Sequence, residues 1–414
     1  MTAFDRIERR LPELLDELGA AGVPDYFDDM LRTTTQDRQR PAWSSLERWL
    51  PMGVIARPLP IRPIPWRLIA LAALLVVLAA ATLVYVGSRR VVLPPFGLAG
   101  NGAILIGTAG GDIVTVDPAS GRPAPIVSRS TFDDGPLYSR DGQQFIFNRG
   151  TSATDTATAL WIAYADGSDA HELFPAGTDV GWLEWSPTGD RVLITPTVDG
   201  KGTIAIVNLA DRSQTNIPID LDVVAASWRP NHDQFVVTAK SGDNRTFWVI
   251  NADGSGKRPI RVSPYAINTP ALSPDGTKLA YATWEPNGVE GRIRIVDIDA
   301  GGDDTLTPGS HDGYVWQNPW FSPDGTHLLL QRYLQGTYTS QVAILATDGS
   351  GTATVMGPET ENPAADAIYS PDGTTIIATY SNAKVTWTFD ADGTNAHQAP
   401  FTALRGQTWQ RTGR

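Results

Sequence analysis

The chain has 414 residues with 33 Lys+Arg against 45 Asp+Glu and no cysteine, which excludes disulfides without fixing the compartment. Charge is unevenly placed: residues 1–90 carry a net +2 and the remainder a net −14, together the −12 of the whole chain. The acidic part repels phosphate backbones and anionic headgroups, so no direct nucleic-acid partner is expected.

Residues 1–66 read as a small helical region. Phe4, Ile7, Leu11, Leu14, Leu15 and Leu18 follow helical spacing, with Pro12 either splitting this stretch or restarting it, and Gly19 and Gly22 end it. A second run from Pro24 groups Tyr26, Phe27, Met30 and Leu31. A third, "SSLERWLP", offers Ser44 and Glu47 as a capping box with Trp43, Leu46, Trp49 and Leu50 as its apolar residues. The Pro-rich "RPLPIRPIP" (57–65) makes a semi-rigid spacer. From Leu68 to Ser88 there follow 21 residues without a formal charge, enough to cross a hydrocarbon core, so one transmembrane helix is expected over 67–88. A signal peptide would need a leader of 66 residues before its apolar run. Arg48, Arg57, Arg62 and Arg67 precede the span, against Arg89 and Arg90 after it, which sets the N-terminus in the cytoplasm and the rest outside.

Beyond the span one turn recurs. "LSPDGTKLAY" (272–281) has near-copies in "YSRDGQQFIF" (138–147), "WSPTGDRVLI" (185–194), "WRPNHDQFVV" (228–237), "FSPDGTHLLL" (321–330) and "YSPDGTTIIA" (369–378), and a shortened copy in "WQRTGR". Ser, Pro, Asp and Gly in that order suit a type I turn with Gly at positive φ, and alternating residues on both sides predict antiparallel strands. The lead residues Tyr138, Trp185, Trp228, Leu272, Phe321, Tyr369 and Trp409 stand 40 to 49 residues apart, the period of a four-stranded propeller blade. Each period adds a third strand such as "RIRIVDI" (292–298) and a short fourth such as "KRPIRV" (257–262). Ahead of the first complete copy, "GAILIG" (102–107), "DIVTVD" (112–117) and "RPAPIV" (122–127) form three strands lacking a first, which "RGQTWQ" (405–410) can supply. The expected fold is therefore all-β: a seven-bladed β-propeller of four-stranded blades over 98–414, closed by strands from both ends.

The run of aromatic-Ser-Pro-Asp-Gly turns resembles the repeat of TolB-type β-propellers, a WD-repeat-like group. The resemblance covers roughly residues 98–414 and implies the propeller fold, which hosts scaffolds, receptors and enzymes alike. TolB has six blades and a separate α/β domain; neither matches here, so its role does not transfer. Inner helices, one span and an outer domain also resemble the layout of membrane-bound anti-sigma factors, which implies a cytoplasmic transcription regulator held by residues 1–66. The His and Cys zinc pattern common in that group is absent from residues 1–90.

Enzyme chemistry has little support. No Gly-x-Ser-x-Gly elbow occurs, and His171, His232, His311, His327 and His397 fall in different blades, so no catalytic residue, metal or cofactor is expected. "DIDAGGDD" (297–304), "DADG" (390–393) and "NADG" (251–254) offer carboxylates but no closing Glu, and Asx-turns explain them. The candidate binding site is an aromatic group on the loops opposite the Ser-Pro-Asp-Gly turns: Tyr265, Trp284, Tyr314, Trp316, Tyr333 and Tyr338 from three neighbouring blades. Glu285, Glu290 and Asp312 would add polar contacts to a protein, peptide or glycan. The competing reading of those rings is packing between blades. Three functions follow: a non-enzymatic membrane-anchored scaffold, a transmembrane regulator with the propeller as sensor, and a propeller hydrolase or lyase.

Overall fold

The repeated turn folds as its residue types dictate. In "SPDG" at 273–276, the Gly276 amide donates to Ser273 O at 2.9 Å, Ser273 Oγ donates to Asp275 Oδ1 at 2.5 Å, and Ser273 Oγ accepts the Lys278 amide at 2.9 Å. Gly276 adopts φ +74, which closes the turn at no steric cost. In the copy "RPNH" no glycine follows Asn231. The positive φ moves one residue earlier, to Asn231 at φ 60, a position a type II turn opens to Asn.

The computed structural model describes residues 70–78 and 93–413, apart from 119, 129, 156, 285–290, 308–312, 335, 338, 351, 362–365, 381–383 and 405. The chain divides into two units, Met1–Arg89 and Arg90–Arg414. In the first, residues 70–78 are helical and exposed. Among the described residues no helix is long and apolar enough to cross a membrane, and most of the segment 67–88, like all of 1–66, lies outside them.

The second unit holds seven four-stranded antiparallel sheets. In chain order of their first strands, blade 1 spans residues 132–174, blade 2 183–217, blade 3 223–259, blade 4 266–305, blade 5 314–361 and blade 6 366–398. Blade 7 takes its first strand, Gln407–Thr412, from the end of the chain and the other three from residues 100–127. Its register pairs Ile104 with Trp409 and Ile106 with Gln407, so the ring closes as the truncated repeat requires. One element departs from the repeat: a hairpin of Thr197–Val198 with Lys201–Gly202 stands between the second and third strands of blade 2.

The core sits between blades. Among the described residues seven apolar clusters form, and each joins two adjacent sheets. The strand period of two makes this possible: Phe145 and Phe147 pack toward blade 7, whereas Ile146 between them packs toward blade 2. The turns form a ring of their own. A Cβ on Gly276 would lie 2.2 Å from Pro230 O of the preceding turn, and one on Gly142 would lie 2.2 Å from Arg411 O. Where blade 3 has Arg229 in place of the turn serine, the side chain reaches across to blade 4. Its Nε donates to Gly276 O at 2.9 Å and its Nη1 to Asp299 Oδ1 at 3.1 Å.

Candidate functional site

The first strands line the channel of the ring, and several carry a bulge just before the turn. The register shifts between Asp134 and Leu137, between Ile267 and Ala271, and between Gln317 and Trp320. Gly135, Asn268 and Asn318 take positive φ at those points, as do Gly181 and Gly406 at corresponding places in blades 2 and 7. A bulge re-aims the side chains that follow it. In blade 5 it separates two tryptophans four residues apart, a spacing that would share one face in an unbroken strand. Trp316 is 8% exposed inside the cluster between blades 4 and 5, while Trp320 is 59% exposed and faces the channel.

Below the ring of turns the channel holds a cavity of about 840 Å³. Trp182, Trp228, Trp320 and Phe321 supply aromatic wall, and Arg140, Glu184, Arg245 and Arg411 supply charge. Three guanidiniums against one carboxylate make this a basic spot in an acidic domain. Arg140 Nη2 pairs with Glu184 Oε1 at 2.9 Å, linking blades 1 and 2 across the channel wall. Burial, and then the nearby Arg140, lower the Arg411 guanidinium to about 10. The segment entering the propeller passes through this mouth: Phe96 lines the cavity beneath Arg140, whose Cζ is 4.7 Å from the ring centroid. A concave, aromatic-walled site with a few convergent polar groups suits ligand capture.

The residues proposed from sequence lie toward the other end of the strands. Glu285, Glu290, Asp312 and Tyr338 lie outside the described residues. The five that are described come from two blades, not three: Tyr265 and Trp284 from blade 4, and Tyr314, Trp316 and Tyr333 from blade 5, because the strands of Trp316 and Tyr333 pair within one sheet. Tyr265 O accepts the Trp284 amide at 2.9 Å, which ties their backbones together. In blade 5, Arg332 lies 4.1 Å from the Tyr314 ring and 5.7 Å from that of Trp316, and its Nη2 donates to Gln341 Oε1 at 2.7 Å. Gln317 Nε2 donates to the Tyr333 hydroxyl at 2.9 Å, and burial pushes that hydroxyl's pKa up. Tyr265, Trp284, Tyr314 and Tyr333 are half-buried, so this group is partly wall and partly surface.

The carboxylate loops close as Asx-turns. Asp253 Oδ1 accepts the Ser255 amide at 2.9 Å, Asp392 Oδ1 the Thr394 amide at 2.9 Å, and Asp297 Oδ1 the Ala300 amide at 2.7 Å. Among the described residues no three His, Asp or Glu converge as a metal centre. His171, His232, His327 and His397 belong to blades 1, 3, 5 and 6, and His311 lies outside the described residues.

Seven blades of four strands around an aromatic-lined channel define the class: a β-propeller. No protein-family model matches the chain. A stretch of 121 residues is 28% identical to a TolB homologue of Chlorobium luteolum, covering 28% of this chain and 26% of that protein, so the match spans about a quarter of the relative's length. Among solved structures, a prolyl endopeptidase aligns with TM-score 0.54 and 12% identity over 75% of this chain and 52% of that one. An oligogalacturonate lyase in complex with manganese aligns with TM-score 0.51 and 14% identity over 74% and 85%. These two likenesses are of fold. The repeat itself is TolB-like, as its turns imply.

Proposed function

We propose that the protein is a non-enzymatic binding scaffold, anchored by one membrane span over residues 67–88 with its N-terminus cytoplasmic, whose extracytoplasmic propeller captures a protein or peptide in its channel. The observation that carries the reading is the channel mouth: a cavity of about 840 Å³ walled by indoles, with Arg140, Glu184 and Arg411 converging on it. The likeness to TolB homologues supports a scaffold over a catalyst. Cross-linking the full chain in its native membrane, then comparing it with Trp320→Glu, tests the reading. A partner captured by the parent and lost by the variant is the expected result, and equal capture by both would move binding away from the channel.

Anchoring has its own test. A reporter active only outside the cytoplasm is expected to be active when fused after Arg414 and silent when fused before Met1. The opposite pattern removes the extracytoplasmic reading. The regulator reading rests on the sequence pattern of residues 1–66, three runs with helical spacing and a capping-box signature at Ser44 and Glu47. Retention of a transcription factor by those residues would favour it over a plain anchor.

A further inference from the structure

Residues Pro94 to Gly97, Pro-Pro-Phe-Gly, bend through the channel mouth, so that one guanidinium can reach carbonyls at both ends. The two prolines fix φ and contribute no N–H, so this stretch presents mainly carbonyl acceptors. Arg411 takes two of them, donating from Nη2 to Pro94 O at 2.7 Å and from Nη1 to Gly97 O at 2.9 Å. Phe96 between them sits under the Arg140 guanidinium and packs against the apolar cluster shared by blades 2 and 3, which contains Trp228. Gly97 then turns at φ +79, a conformation that disfavours any side chain, and the Ala99 amide is fixed on Pro371 O at 2.9 Å.

The aromatic wall continues past Phe96 along the open cavity. Trp228 is 4% exposed, and its Nε1 donor is buried with no acceptor, as is that of Trp182. Trp320 presents an exposed ring on the same wall. Flat aromatic rings flanked by guanidinium donors are complementary to a chain that has carbonyls to offer and few donors of its own, and proline-rich segments dock in aromatic-lined grooves by such means.

We propose that the channel mouth binds a bent proline–proline–aromatic segment of a partner protein, and that Pro94 to Gly97 are the chain's own occupant of its outer subsite, which the partner displaces. This deepens the scaffold reading and rests on the channel as its site. A tethered occupant competes at an effective concentration on the order of millimolar, so it lowers the apparent affinity of any segment arriving from outside.

The probe is a fluorescein-labelled Leu-Pro-Pro-Phe-Gly peptide, its anisotropy measured with the full chain in detergent micelles. Phe96→Ala is expected to bind the probe at least about tenfold more tightly than the parent, since the tethered competitor loses its anchor. A control peptide with Ala for Phe is expected to show no such gain, and adding Arg140→Gln to Phe96→Ala should abolish it. Phe96→Leu keeps most of the side-chain volume and gives the same readout if Phe96→Ala fails to fold. Equal probe affinity in the parent and in either folded Phe96 variant overturns the proposal. If that happens while Trp320→Glu still abolishes partner capture, the displaced-occupant model falls and the scaffold reading stands.

Discussion

Blades 1 and 5 place an arginine at the same point and use it differently. Arg149 and Arg332 each stand 11 residues after the lead residue of their blade, and each pairs in register with a first-strand residue five before that lead. In blade 1 the partner is Asp133. Both side chains are buried and joined by two hydrogen bonds of 2.7 and 2.9 Å, with the Arg149 guanidinium 3.9 Å from the Trp161 ring. In blade 5 the partner is Trp316, and Arg332 lies against aromatic rings while Gln341 takes its donors. The backbone fixes the slot; the residue across the ladder decides whether the cation faces a buried carboxylate or an aromatic ring. The consequence is energetic. A fully buried charge that loses its counter-ion has nowhere to turn, whereas the half-buried slot of blade 5 keeps access to water.

Mutations can break this contrast. Arg149→Met, which strands a buried carboxylate, is expected to cost about 3–5 kcal/mol, read from the shift in urea midpoint. Adding Asp133→Leu should recover most of that loss, and failure to recover would mean that the pair is not the source. Trp316→Ala is expected to cost about 3 kcal/mol, because it empties part of the cluster between blades 4 and 5, whereas Trp320→Ala on the same strand should stay within about 0.5 kcal/mol. Equal effects at the two tryptophans would contradict the bulge that separates them. Arg332→Met should cost only about 1 kcal/mol. A loss as large as that of Arg149→Met would erase the distinction between the blades.

The smallest effects belong to the turns. Burial alone would raise the Asp275 carboxyl, but hydrogen bonds from Ser273 and Thr277 outweigh it and hold the pKa below its ordinary value; Asp324 and Asp372 behave alike in their own turns. A carboxylate depressed in the folded state adds stability that is fully present above its unfolded pKa, near 3.9, and is lost as pH falls through the lower folded value. The urea midpoint should therefore be insensitive to these groups from pH 7 to 5 and fall below about pH 4. Ser273→Ala should cost about 1 kcal/mol at neutral pH and make the acid-side fall shallower. An unchanged acid limb would show that the turn carboxylates do not contribute to it.

The ring was legible in the sequence because its turns are local. Ser273, Asp275 and Gly276 bond within a few residues of themselves, so the repeat spells out its own geometry, and the leftover Trp409 announced the closing strand. The channel site was not legible, because it is assembled from single residues of distant repeats such as Arg140, Glu184, Trp228 and Trp320, joined by Phe96 from outside the array. A signal was present nonetheless: Gly135 and Asn318 each stand three residues before a lead aromatic, where the strand bulges. Period-two reading of "YVWQNPW" puts Trp316 and Trp320 on one face, and only the bulge at Asn318 reveals that Trp320 alone faces the channel. The arginine slots escaped notice for the opposite reason. Asp133 and Arg149 look like ordinary loop-end charges until their register is known.

The pairing of Gln407–Thr412 with Gly100–Gly107 also orders events in time. A ribosome releases Ile104 about 300 residues before its partner Trp409. Blades 1 to 6 can therefore assemble during synthesis, while blade 7 waits as a three-stranded sheet whose open edge offers a row of unpaired amides. Residues 407–412 thus act as a completion signal. Any product that stops short of them presents the quality-control machinery with one exposed strand edge, which their pairing hides.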